Sequence, residues 1–458
     1  MRAVFTVPAR NENRVLFLTV VAGRGTSRRA CRLTAGVTTT PDQLGLETVA
    51  PPESRGQRLT LIVVLGGLIA LGPLTIDMYL PALPAITDEL LTTSATIQLT
   101  LTGTLIGLAL GQLIIGPLSD ALGRRRPLLV GTGVHVVASA LCIIAPNVAV
   151  LGGLRVLQGI GAAAGAVVAM AIVRDMFTGR AAATLLSRLI LVMGAAPVIA
   201  PTLGGELLRY TSWRGVFAAL AVYGLLIIPL AAWTLPETLP PERRRSVAIV
   251  DTLRTYRGLL RDRTFVGLIF VAGLTMAGLF GYIAGGSFVF QEQFGLDQQE
   301  FGLVFGAGAF WLILATQLNA YLLRWAEPRE LLLGSVIAGT TAGFVLLAAA
   351  LGGVGGLVGI LVPLWAVLFA VGLALPNSPA LALSRHGEAA GTAAAMLGAV
   401  QFGVGAIISP MVGVLGNNAV AMAAVVSGGL TAALVVLVVV VKPWTLASID
   451  EPGTPADH

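Results

Sequence analysis

Twelve apolar runs, each long enough to cross a bilayer as a helix, leave this chain few folds to choose from. A hydrocarbon core of about 30 Å is spanned by about 20 helical residues. Runs of that length occupy 59–81, 96–118, 127–146, 149–173, 183–207, 214–235, 264–290, 300–322, 330–350, 355–378, 389–412 and 417–441. They show no alternation of apolar and polar residues, which argues against membrane strands and for helices. Composition agrees: 56% of the 458 residues are hydrophobic and 11% charged, against about 25% charged in soluble domains. Lipid is therefore the expected solvent, and the expected fold class is an all-α polytopic membrane protein.

The net charge of +6 could point to nucleic acid, but its distribution points to topology. Arginines crowd the loops on one side: Arg124 to Arg126, Arg174, Arg180, Arg243 to Arg245, Arg254 to Arg263, Arg324, Arg329 and Arg385. The opposite loops hold only Arg209 and Arg214. By the positive-inside rule the first set is cytoplasmic, and both termini with it. Lys442 is the one lysine among the 29 basic residues, which suggests a GC-rich bacterial genome. The expected location is a bacterial cytoplasmic membrane.

The longest internal polar stretch, 236–263, divides the runs six and six. Residues 56–235 and 264–442 then form two six-helix bundles joined by a basic linker, an arrangement in which a substrate binds between halves that rock. Residues 1–55 are expected to be a disordered tail or the product of a misassigned start, and 443–458 a polar tail. Cys31 and Cys142 lie far apart, and His135, His386 and His458 do not cluster, so no metal set is expected. His135 is expected to be packed in its helix or to face the pore.

Chemistry concentrates in the first half. The loop after the second run reads Gly116-Pro-Leu-Ser-Asp120-Ala-Leu-Gly123-Arg124-Arg125-Arg126. Gly116 would allow close backbone approach, Gly123 a tight turn, and Asp120 an anion beside arginine or a helix N-terminus. A merely topogenic loop would not need that spacing. An arginine inside a span, Arg155, is costly and functional by default, and Asp77 near the end of the first run offers a counter-ion. Counting from the outer ends places both about 9 Å deep. An Asp beside Arg stays ionised, and one moved away in low dielectric takes up a proton. The pair could thus couple protons to conformation.

The Gly116–Asp120–Gly123–Arg124–Arg125 spacing resembles the G-x3-D-x2-G-R-R signature of the major facilitator superfamily, over about residues 56–442. The resemblance implies a cytoplasmic latch between bundles in the outward-open state, formed by Asp120, Arg124 and Asp175. Asp77-Met-Tyr-Leu-Pro-Ala-Leu-Pro84, with Arg155-x-x-Gln158-Gly159, resembles the Bcr/CflA group of drug:proton antiporters, of the bicyclomycin and chloramphenicol resistance type. Gly194, Pro197, Pro201, Gly204 and Gly205 of the fifth run resemble the antiporter motif G-P-x-x-G-G, with Ala200 in place of its first glycine. Trp213, Arg214 and Phe217 also resemble the group.

What the resemblance implies is proton-coupled multidrug efflux, with small-molecule substrate, protons and bilayer as partners, no cofactor beyond the proton gradient, and a monomer. Ile69 stands where some multidrug relatives carry an acid, which leaves a cationic substrate without an obvious partner; Glu206 lies near the outer end. Candidate pocket residues are Tyr79, Gln158, Gln317, Asn319, Asn377 and Gln401, with the aromatics Tyr282, Phe288, Phe310 and Trp365. A carrier for one endogenous metabolite is the main alternative, and a membrane receptor a further one. An enzyme is not expected: no zinc-protease, nucleotide-binding or Ser/His/Asp pattern is present.

Overall fold

The computed structural model describes residues 2–8, 15–21, 35–36, 55–244, 249–386 and 389–446. The chain forms two units, Met1–Ala50 and Pro51–His458. The first holds strands β1 (Arg2–Pro8), β2 (Val15–Val21) and β3 (Ala35–Gly36) in antiparallel order β1-β2-β3. Arg2 pairs with Val21 and Pro8 with Val15. The sequence led us to expect a tail without such strands; Val, Phe, Leu and Thr in both longer segments suit a pleated backbone.

The second unit is helical: α1 (Arg55–Asp77), α2 (Leu83–Glu89), α3 (Ser94–Leu122), α4 (Arg125–Ile143), α5 (Val148–Met176), α6 (Gly179–Leu208) and α7 (Trp213–Thr234), then α8 (Ile249–Leu259), α9 (Arg263–Phe288), α10 (Gln298–Leu322), α11 (Pro328–Gly352), α12 (Gly356–Ser384), α13 (Ala390–Ile408), α14 (Met411–Val414) and α15 (Ala419–Val436). Among the described residues, 12 helical stretches are long and apolar enough to cross a membrane. Polar residues start them: Thr93, Asn147 and Asn418 each accept from a backbone N–H three residues on, and Asp297 with Glu300 closes a capping box.

In one bundle α5 packs on α1, α3 and α4, and α7 on α4; in the other α9 packs on α12, α13 and α15. The close approach of α3 and α5 depends on glycine, since a Cβ at Gly107 would lie 2.1 Å from the Val156 carbonyl. The bundles meet along α6 against α10 and α3 against α13. The linker is not a plain coil: it holds a single turn at Pro241–Arg243 and the helix α8. Its residues 245–248, including Arg245, lie outside the described residues, as do the end of the C-terminal tail and the side chain of Arg180.

The first span departs from a simple rod. The apolar run reaches residue 81, yet α1 stops at Asp77, followed by a turn of 3-10 helix at Leu80–Ala82 and then α2. Pro81 and Pro84 have no N–H, so the carbonyls four residues earlier, Asp77 and Leu80, lose their helical partners. The break places polar backbone at membrane depth, where it must be satisfied by protein.

Candidate functional site

The polar groups of the first bundle converge on this break. Arg155 is fully buried. Its Nη1 donates to the Thr75 carbonyl at 2.9 Å and to Gln158 Oε1 at 2.6 Å. Gln158 Nε2 donates to Ser139 Oγ at 2.7 Å, which donates to the His135 carbonyl at 2.7 Å. The Thr75 hydroxyl donates to Leu71 O at 2.6 Å. It therefore accepts from His135 Nε2 at 2.8 Å, and that nitrogen carries the ring proton. A closed polar ring links α1, α4 and α5. The guanidinium also lies over the Tyr79 ring, 4.5 Å from its centroid.

This geometry corrects the expected ion pair. Asp77 is 3% exposed, but no ion pair joins it to Arg155 among the described residues. Arg155 instead caps the end of α1 through Thr75, two residues before Asp77, which suits a cation at a helix C-terminus. Depth counting brought the two residues to one level; it could not show which way each side chain turned. Sequence reasoning also missed Thr75, Ser139 and the role of His135, because buried hydroxyls on apolar helices carry no distinctive spacing.

At the arginine-rich end, Arg124 is held from several sides. Its Nη1 donates to Asp120 Oδ1 at 2.5 Å and Ser119 Oγ at 2.9 Å, and its Nε to Asp175 Oδ2 at 2.7 Å. Burial works against its charge, and the bonds to Asp175 and Asp120 outweigh that, leaving its pKa raised. Two further partners were missed: Thr238 donates to Asp175 at 3.0 Å, and Glu237 accepts from the Arg124 N–H at 2.7 Å and the Arg125 N–H at 3.2 Å. They follow α7 directly, as Pro236-Glu237-Thr238. Every partner named here belongs to the first bundle or the segment leaving it, so among the described residues the expected latch is not seen to bridge the bundles. Gly123, at φ +88° and 2.4 Å from Glu237 in any Cβ-bearing form, needs to be glycine. Gly116 does not show the close approach expected of it: a Cβ there meets nothing within 4 Å.

The fifth-span motif lies at the bundle interface. A Cβ at Gly205 would sit 2.4 Å from Gln298 O, and one at Gly204 2.2 Å from Met78 O in the break. Gly194 faces Ile313 of α10, and the Pro201 carbonyl lies against Gly302. Pro197 sits within the same helix. Further cross-bundle hydrogen bonds gather at the end away from Arg124. Ser287 donates at 2.6 Å to Leu80 O, which has no i+4 partner at Pro84 and also accepts from the Leu83 N–H. Gln291 donates to Pro81 O at 3.3 Å. Gln98 donates to Ala284 O at 3.1 Å and Asn417 Oδ1 at 3.0 Å and accepts from the Gly413 N–H at 2.9 Å.

Most of the expected pocket residues are engaged elsewhere. Tyr79 bonds Thr100 at 2.8 Å, Gln158 belongs to the Arg155 ring, and Asn377 donates to Asn319 at 2.7 Å. These are helix-to-helix contacts. Gln317 and Phe310 are exposed on the helix surface, and Gln401 is half-buried. Phe288 is buried, and Trp365 lies near Trp311 with its indole N–H unpartnered. Glu206 pairs with Arg209 at 3.2 Å. Trp213 donates to Glu89 at 2.6 Å, and Arg214 bonds the same carboxylate.

Known proteins share this organisation. The chain is 38% identical over 371 residues to the MFS-type transporter YdgK of Bacillus subtilis (strain 168), covering 81% of this chain and 92% of that one. It is 30% identical to a bicyclomycin resistance protein homolog of Haemophilus influenzae, covering 77% and 88%. It is 33% identical to a chloramphenicol resistance protein of Pseudomonas aeruginosa, covering 77% and 83%. Two solved structures share the fold. One is a bacterial homolog of the human lysosomal transporter Spinster in an inward-facing and occupied conformation: TM-score 0.68, 16% identity, 85% of this chain and 97% of that one. The other is a D-xylose–proton symporter: TM-score 0.65, 19% identity, 86% and 100%. The Major Facilitator Superfamily pattern matches residues 65–410. Two six-span bundles, a basic loop built on Asp120, Gly123 and Arg124, and this match together make the chain a membrane transporter of the Major Facilitator Superfamily, not an enzyme.

Proposed function

We propose that the chain exports hydrophobic or neutral drug-like molecules across a bacterial cytoplasmic membrane in exchange for protons, as a monomer. The arginine-rich loops then face the cytoplasm, and the bundles are hydrogen-bonded to one another at the opposite end. The observation that carries the reading is Asp77: a carboxyl 3% exposed, at a helix break on the bundle interface, with no hydrogen bond or ion pair among the described residues. A carboxyl in apolar surroundings takes a proton when unpartnered and yields it when a donor or cation approaches. Rocking of the bundles changes what surrounds Asp77, so one motion alternates both drug access and proton affinity. Arg155 acts on this site as a positioning group, through the end of α1.

Exchange rather than uptake is supported by the fifth-span glycines and prolines at the interface and by the resistance proteins among the relatives. The test is proton flux from proteoliposomes on addition of chloramphenicol or bicyclomycin. Coupled flux is expected in the wild type and at least about tenfold less in Asp77→Asn. Undiminished coupled flux in that variant sinks the assignment of Asp77, and flux driven by sodium without pH dependence sinks the proton.

A further inference from the structure

Asp77 has a second unpartnered neighbour, and it belongs to the other bundle. Tyr282 of α9 is 1% exposed, and its hydroxyl has no hydrogen-bond partner among the described residues. A buried hydroxyl left unbonded is costly, which favours a partner for it in some other conformation. The ring is fixed: it stacks on Phe305 at 4.7 Å and 15° and meets Phe290 edge-on at 6.4 Å. Space for the hydroxyl is kept by Gly308, where a Cβ would lie 3.1 Å from it.

The two groups share a level. Ser287 of α9 bonds Leu80 of the break at 2.6 Å, which pins the two chains side by side. Tyr282 precedes Ser287 by five residues and Asp77 precedes Leu80 by three, so both lie roughly 5–8 Å from that bond toward the arginine-rich end. Asp77 and Tyr282 lie within electrostatic range of one another. Other ionisable groups at this level are held within the first bundle: Arg155 Nη1 by Thr75 and Gln158, Tyr79 by Thr100 and His135 Nε2 by Thr75, while Arg155 Nε and Nη2 and His135 Nδ1 are buried without a partner among the described residues. Buried Cys142 is near Arg155. On α6, Gly204 packs against Met78 O, and Glu206, two residues on, pairs with Arg209.

We propose that the Tyr282 hydroxyl is the second bundle's hydrogen-bond donor to the Asp77 carboxylate, a positioning contact made across the interface as the bundles tilt. The inference rests on Asp77 as the proton carrier. A donor to the ionised form favours that form. Approach of the hydroxyl therefore drives the proton off Asp77, and its withdrawal lets a proton return. The charge state of the first bundle is thereby tied to the position of the second without an ion pair between them.

The test reads the carboxyl directly and needs no drug. Infrared difference spectra of the full chain in liposomes are recorded against pH, and the protonated Asp77 C=O band is assigned by its loss in Asp77→Asn. Tyr282→Phe keeps the ring and its stack; the midpoint of that band is expected to rise by about one pH unit. Gly308→Ala, which crowds the hydroxyl but leaves Tyr282 in place, is expected to shift it in the same direction. An unmoved midpoint in both variants overturns the inference while leaving Asp77 as carrier. Identical spectra for wild type and Asp77→Asn at every pH overturn the carrier reading and the inference with it.

Discussion

Arg155 Nη1 donates to the Thr75 carbonyl at 2.9 Å, and this bond, in place of an ion pair with Asp77, is how α5 holds the end of α1. One nitrogen, Nη1, bonds both Thr75 and Gln158 while the flat guanidinium lies over Tyr79, which uses its planar face as well as its charge. Charge alone does not reproduce that arrangement.

Arg155→Lys is accordingly expected to fail where a charge-pairing model would have it succeed. The ammonium has no planar face to lie over Tyr79, and its stem does not reach the position of Nη1 beside Thr75 and Gln158. Drug-triggered proton flux should fall at least about tenfold, with a stability loss of about 1–3 kcal/mol from the unbonded carbonyl and amide. Flux assays and thermal unfolding in detergent measure the two effects. Lysine restoring full exchange contradicts the capping role.

The two motif glycines should behave oppositely. Gly116→Ala meets open space and, inside a helix, should be neutral or stabilising by up to about 1 kcal/mol. Gly123→Ala takes a side chain to φ +88° and into Glu237, and should cost more than about 1 kcal/mol. Melting temperatures of the purified variants separate them.

The far-end hydrogen bonds set the balance of conformations. Ser287→Ala removes the donor to Leu80, and Gln98→Leu removes donors and an acceptor that join α3 to α9 and to the turn after α13. At about 1 kcal/mol per bond, each variant should shift the population toward opening at that end by about fivefold or more. Spin labels at the exposed positions Leu91 and Val414, one on each bundle, report the separation. An unchanged distance distribution in both variants shows that these bonds do not hold the gate.

Asp262 predicts an acid-dependent stability. It caps α9 and binds Arg385 at 3.0 Å and His386 at 3.1 Å, tying α9 to the end of α12. Burial pushes its carboxyl up, but the Phe265 N–H, Arg385 and the Thr264 N–H outweigh this and hold it below its usual value. A depressed carboxyl contributes stability above its unfolded value of about 3.9 and loses it as pH falls through the folded value. The wild type should therefore unfold at higher temperature than Asp262→Asn at neutral pH, by about 0.5–1 kcal/mol. That gap should close below about pH 4.

Much of the architecture was legible because bilayer thickness imposes a length on every span, and a missing polar surface imposes lipid. The twelve runs needed nothing else. The basic loop was legible for a similar reason: Asp120, Gly123 and Arg124 act within a few residues of one another, where spacing is geometry. Asp175 joined them only through the family resemblance, and Glu237 and Thr238, more than a hundred residues on, were not found.

The sequence by itself determined the membrane class, the division into two bundles and the presence of a buried acid and a buried base in the first of them. Only the tertiary structure decided their partners: that Arg155 turns to a backbone carbonyl near a proline break, and that neither Asp77 nor Tyr282 of the other bundle has a hydrogen-bond partner among the described residues. The reason is physical. Hydrophobicity and length act along the chain and are additive, whereas a hydrogen bond depends on the rotation of each helix about its own axis, which is fixed by packing between segments distant in sequence.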